Sequence, residues 1–139
     1  MKVKDVMHRG TTCVERSTPV TEIAKRMRDS GVGAIPVRVD GQLVGIVTDR
    51  DITCRVVAVS GDLSKLTAQD VMTKNVICCS PEDDIATAIK EMEAMKVRRL
   101  PVTDSNRVMV GMLSLVDISQ KATKELFNEV LSAVSVHHL

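Results

Sequence analysis

Residues 45–52 read GIVTDRDI, and residues 111–118 read GMLSLVDI. Each runs glycine, two apolar residues, a hydroxyl residue, two variable positions, aspartate and isoleucine. The correspondence extends outward on both sides. A shift of 65 places Asp5-Val6-Met7 on Asp70-Val71-Met72, Cys13 on Cys78, Met27 on Met92 and Pro36-Val37 on Pro101-Val102. After one extra residue, where VDGQ stands against TDSNR, a shift of 66 places Val44-Gly45 on Val110-Gly111 and Asp51-Ile52 on Asp117-Ile118. A hairpin turn absorbs such an insertion. The 139-residue chain is therefore a duplication of a unit of about sixty residues.

Each copy has the same local grammar. Val20, Ile23, Ala24 and Met27 fall on one helical face, and Ile85, Ala88, Ile89 and Met92 repeat it. Ser80-Pro81-Glu82-Asp83 has the composition of a helix start, with a hydroxyl cap, an early proline and acids near the positive helix end. AIPVRV and QLVGIV, joined by Asp40-Gly41, form the pattern of a β-hairpin, and RLPVTD and VMVGML are their counterparts. Short strands are expected around TTCV and NVICC, helices after Thr48 and Ser114, and a lead-in helix at KVKDVM and at TAQDVM. The expected class is α+β, with a β-α-β-β-α unit twice over. Divisions fall at 1–60 and 67–122 for the copies, 61–66 for a linker and 123–139 for a C-terminal helical extension, with Leu126, Val130, Leu131 and Val134 on one face. Each copy alone has little core, so two copies sharing one core about a pseudo-twofold axis are expected. The hairpin in each unit counts against a doubly wound sheet, which needs helical crossovers.

Thr48-x-x-Asp51 and Ser114-x-x-Asp117 are capping boxes, a reading that by itself requires no ligand. Three features add a binding role. A glycine stands three residues upstream in both copies, where backbone must lie close to something. A hydroxyl at a helix N-terminus suits a phosphate. A carboxylate one turn later suits a ribose diol.

The DVM openings, the IPV and LPV strands and the GIVTDRDI and GMLSLVDI segments, in this order and in duplicate, resemble a tandem pair of CBS domains over nearly the whole chain. The resemblance implies two βαββα repeats packed about a pseudo-twofold axis. It also implies a regulatory module that binds adenosine-containing ligands, such as AMP, ADP, ATP or a related adenosyl compound, in clefts between the repeats. By position, Asp51 and Asp117 resemble the family's ribose-binding acids, and Thr48 and Ser114 its phosphate-side hydroxyls. Thr12, Ala34 and Pro36, with Ile77, Arg99 and Pro101, resemble its adenine-recognition segments. Arg98 and Arg99 stand where the first copy has Gly33 and Ala34, so Asp51 with Arg98 or Arg99 is expected to form the stronger phosphate site, unless both arginines are solvated surface residues. A homodimer built through helices of both repeats and a regulated protein partner are further implications.

Composition narrows the alternatives. Nineteen basic and eighteen acidic residues argue against nucleic-acid binding. No apolar run approaches the roughly 20 residues of a membrane span, and MKVKDVMHRG lacks a secretory pattern, so a cytoplasmic protein is expected. Phe127 is the sole aromatic residue, so a bound base would rest on aliphatic walls and backbone. With neither a Walker A loop nor a GxGxxG turn, and His137 and His138 at the chain end, no enzyme is expected and no cofactor is required. Two alternatives stand. One is a structural or interaction dimer whose motifs only cap helices. The other is a metal-binding CBS protein using Cys13 and Cys78, with Cys79 and His8 nearby, although cysteines at equivalent repeat positions read more simply as core.

Overall fold

The periodic apolar residues form the inner faces of the helices. A computed structural model of the protein describes residues 1–59 and 62–121, with Leu126, Asn128 and Leu131. In order it has a 3-10 turn (Val3–Asp5), β1 (Val14–Glu15), α1 (Val20–Ser30), β2 (Ala34–Val39), β3 (Gln42–Thr48), α2 (Asp49–Ile52) and a π turn (Thr53–Val57). Then follow α3 (Ala68–Val71), α4 (Ile85–Met95), β4 (Arg99–Thr103), β5 (Met109–Ser114) and α5 (Leu115–Lys121). The mixed α+β class is as the sequence predicts. Most of the predicted C-terminal extension, Val130 and Val134 included, lies outside the described residues.

The chain forms two compact units, one of residues 12–76 and one of residues 1–11 with 77–139. In the first, β1 pairs parallel with β2 and β2 antiparallel with β3. The turn at Asp40-Gly41 has φ of 53° and 81°, the left-handed pair that a two-residue hairpin needs. Val20, Ile23 and Met27 from α1 pack on Ile35, Val37 and Val47. In the second unit β4 pairs antiparallel with β5, and Cys79 bridges Val102 in parallel, as Val14 does Val37. The strand expected at NVICC is reduced to that one bridge. Ile85, Ile89 and Met92 of α4 pack on Leu100, Val102 and Leu113, with Val3, Val6 and Met7 in the same cluster.

These units do not follow the order of the repeat, because each lead-in segment docks on the other copy's elements. Val20 N donates to Leu66 O at 3.0 Å, and Ile85 N to Met1 O at 3.0 Å. Ala68 N and Gln69 N donate to Thr18 O and Arg16 O, each at 2.9 Å; Val3 N and Lys4 N donate to Asp83 O and Pro81 O at 2.9 and 3.0 Å. The unpaired N–H groups at the start of each lead-in turn thus find loop carbonyls. This corrects the reading of Ser80-Pro81-Glu82-Asp83 as a helix start. Its carbonyls are taken by the N-terminal segment, it closes as a turn with Asp83 N on Ser80 O at 3.1 Å, and α4 begins only at Ile85.

Two details are testable. α1 ends on Gly31 at φ 65°, whereas α4 ends on Lys96 at φ 55°. A side chain in the left-handed region costs about 1 kcal/mol, so K96G is expected to raise the urea midpoint without changing the unfolding slope. Separately, Lys2 and Lys4 meet the Glu82 carboxylate at 2.7 and 2.9 Å. The Lys2 and then Lys4 hydrogen bonds hold the Glu82 pKa down, from 4.5 to about 2. A depressed carboxyl pKa means the contact contributes above the ordinary value and is lost as pH falls towards 2. The pair is exposed, so its contribution to stability is small. A K2M/K4M variant should return the Glu82 midpoint, followed by carboxyl NMR, towards 4.5.

Candidate functional site

Thr48 closes β3 and caps α2. Its Oγ1 accepts from the Asp51 amide at 3.1 Å, and Asp51 Oδ2 accepts from the Thr48 amide at 2.9 Å. Ser114 and Asp117 repeat this at 3.1 and 3.2 Å, and the Ser114 hydroxyl also donates to Asp117 Oδ2 at 2.8 Å. In both copies the capping box therefore uses one carboxylate oxygen, Oδ2.

The other oxygen faces a basic side chain at ion-pair range. Asp51 Oδ1 lies 3.8 Å from Arg55 Nε, and Asp117 Oδ1 lies 3.9 Å from His8 Nδ1. Both distances exceed a hydrogen bond. The Asp51 side chain is 13% exposed and that of Asp117 22%. Each acid is thus fixed by its cap, mostly covered, and retains acceptor capacity on Oδ1.

The strands bring further predicted residues to these caps. Ala34 is the cross-strand partner of Thr48, and Arg99 that of Ser114. Asp49 N donates to Gly33 O, and Leu115 N to Arg98 O, both at 3.0 Å. Pro36 and Pro101 are buried two positions along, opposite Ile46 and Met112. Thr12 is exposed just before β1, and Ile77 packs partly buried on its unit's core. Arg98 is exposed and Arg99 half-buried; both belong to the unit of Asp117, whereas Asp51 belongs to the other.

The upstream glycines have a cause within the chain. A Cβ on Gly45 would stand 2.9 Å from Thr73 O, and one on Gly111 2.8 Å from His8 O. Those carbonyls accept from Ile46 N and Met112 N at 3.1 and 2.9 Å. The backbone that lies close to each glycine is a lead-in segment, so the repeated glycine speaks for the fold and not for a ligand.

The cysteines differ in burial. Cys79 is buried, and burial pushes its thiol up to about 12. Burial also raises Cys13. Cys13 and Cys78 lie in different units. Among the described residues no three His, Cys, Asp or Glu side chains gather as a metal site, and no helix is long and apolar enough to cross a membrane.

A family model for the CBS domain matches residues 3–58 and again residues 68–123. The chain belongs to the CBS domain family. It is 34% identical to the CBS domain-containing protein YhcV of Bacillus subtilis, over 91% of this chain and 87% of that one. Among solved structures, Hypoxic Response Protein I with two coordinated zinc ions matches at 31% identity and TM-score 0.81, covering 88% of this chain and all of that one (100%). The CBS domain pair of protein MJ0100, in complex with 5'-methylthioadenosine and S-adenosyl-L-methionine, matches at 27% identity and TM-score 0.78, covering 87% and 98%. Other curated relatives are longer. The chain spans 62% of an uncharacterized protein of Methanopyrus kandleri and 23% of a homoserine O-acetyltransferase of Methanohalobium evestigatum.

Two residues of this CBS pair escaped the sequence reading as neighbours of the acids. Arg55 is four residues beyond Asp51, a helical spacing open to inspection. In sequence His8 stands out only as a candidate metal ligand. Its place beside Asp117 depends on the lead-in pairing with β5, which no local pattern reveals.

Proposed function

We propose that this CBS pair is a regulatory module binding adenosine-containing compounds, with Asp51 and Asp117 as the ribose-binding acids. One observation carries the reading. Both acids are held by a cap through Oδ2 and keep Oδ1 as a covered acceptor. Capping alone explains the first oxygen, and the partners of the second, Arg55 and His8, stand beyond hydrogen-bond length, so it can still accept one. A diol supplies two O–H donors to such a carboxylate. The MJ0100 CBS pair, which holds two adenosyl compounds, supports the ligand class. Arg98 and Arg99 supply charge for a phosphate-bearing ligand, while the backbone near Thr12, Ala34, Pro36, Ile77 and Pro101 borders the base. The output is a change in assembly as a homodimer or in contact with a protein partner, in the cytoplasm.

A thermal-shift panel of AMP, ADP, ATP and S-adenosylmethionine tests this. A compound that binds only the folded chain raises its melting temperature with concentration. R98A/R99A should weaken ATP more than adenosine. No shift with any of these compounds at millimolar concentration would leave the structural reading in its place. Zinc binding is the second reading, favoured by the two zinc ions of Hypoxic Response Protein I. Stoichiometric zinc in protein purified without added metal would support it.

A further inference from the structure

Arg55 lies in the π turn Thr53–Val57, where Ala58 N reaches back to Thr53 O at 2.9 Å. Such wide turns are uncommon and concentrate at functional positions. The guanidinium has two partners. Its Nε stands 3.8 Å from Asp51 Oδ1, and its Nη1 donates to the Val71 carbonyl at 3.0 Å. Val71 is the last residue of α3, in the lead-in segment of the second copy, the connector between that copy and β3. A terminal carbonyl of so short a helix lacks a helical partner, so the arginine satisfies a group otherwise left to water.

The connection closes on itself. Thr73, two residues after Val71, exchanges both backbone hydrogen bonds with Ile46, at 2.9 and 3.1 Å. Ile46 lies on β3, which ends at Thr48, and Thr48 caps the helix carrying Asp51. The acid, the arginine, the connector and the strand beneath the acid thus form one ring within one compact unit.

The second copy reaches a similar result with different residues. The position equivalent to Arg55 is Lys121, yet Asp117 faces His8. His8 lies on the other lead-in segment, and its backbone pairs with Met112 of β5. In both copies the outer oxygen of the acid faces a basic side chain tied to a lead-in segment.

We propose that Arg55 couples occupancy of the Asp51 half-site to the connector at residues 67–73, because guanidinium and ribose diol draw on the same oxygen, Asp51 Oδ1. The proposal rests on the reading of Asp51 as a ribose acid. A carboxylate that accepts two hydroxyl donors holds the guanidinium less strongly. Arg55 is then released at its acid end, and its bond to the Val71 carbonyl loosens with it. By linkage the effect is reciprocal, so whatever weakens the tie strengthens binding.

Hydrogen–deuterium exchange over residues 67–73 of the full chain reads the coupling, with S-adenosylmethionine or AMP as the probe. The wild type is expected to exchange faster there when saturated. R55Q removes the charge and, because its amide ends where Arg55 Nε stands, the Nη1 donor to Val71 as well; it should bind the probe several-fold more tightly and show no probe-dependent change at 67–73. A purely structural arginine would shift exchange equally with and without the probe. An undiminished probe effect in R55Q overturns the proposal. D51N needs no ligand, since asparagine keeps an acceptor for the Thr48 amide but offers Arg55 no charge. Without probe it should exchange at 67–73 as the saturated wild type does, and wild-type protection there also overturns the proposal. If the wild type binds no adenosyl compound, the ribose-acid reading fails, and the D51N result alone decides whether the tie exists.

Discussion

Replacing Gly111 by alanine is expected to lower stability by about 1–3 kcal/mol, a loss of several degrees in melting temperature. The new Cβ would meet His8 O at 2.8 Å, and that carbonyl is held by Met112 N at 2.9 Å. Retreat of His8 would break a backbone pair and draw Val3, Val6 and Met7 away from the core they complete. Gly45→Ala meets the same obstacle at Thr73 O, with the Met72 side chain also in the way. Gly33→Ala is the control. Its Cβ would stand 3.1 Å from the carboxylate end of Asp49, a side chain that can swing aside. The ordering G111A and G45A well below G33A, measured by thermal or urea unfolding, distinguishes backbone crossing from a general intolerance of side chains. Equal melting temperatures for all three would contradict the docking of lead-in segments on β3 and β5.

The second large effect concerns the acids. D51N and D117N each keep one oxygen to accept from the cap amide, at 2.9 and 3.2 Å in the native pair, so folding should change little. Binding should change much. An amide offers a diol one acceptor and turns a donor towards its second hydroxyl. The loss of charged hydrogen bonds, about 1.5–3 kcal/mol, corresponds to an affinity reduced about tenfold to a hundredfold. Alanine removes the carboxylate half of the capping box together with the acceptor, while Thr48 Oγ1 still takes the residue-51 amide, so D51A should also lose about 0.5–2 kcal/mol of stability. If the asparagine variants bind as the wild type does, the carboxylates serve as caps and no more.

The duplicated motif made both acids legible, because a capping box is a local pattern. Thr48 with Asp51 and Ser114 with Asp117 need only a spacing of three residues. The hairpins were legible for the same reason, from Asp40-Gly41 and alternating apolar residues. What escaped was long-range. Lys4 bonds Pro81 and Gln69 bonds Arg16, so the loop before each first helix is shaped by the opposite lead-in. Ser80-Pro81-Glu82-Asp83 has the composition of a helix start, but those contacts hold it as a turn. The glycines mark close approach in sequence, but the neighbour is the lead-in backbone and not a ligand. A ligand and a crossing strand impose the same demand for a missing Cβ, and sequence carries no sign of which one meets it.

Isothermal titration of AMP, ATP and S-adenosylmethionine into the wild type and into D51N/D117N tests the central claim most directly. Saturable binding of at least one compound by the wild type, lost or weakened at least about tenfold in the double variant, is the predicted result. Absence of binding by the wild type, or binding undiminished in the double variant, would contradict the assignment of Asp51 and Asp117 as ribose acids.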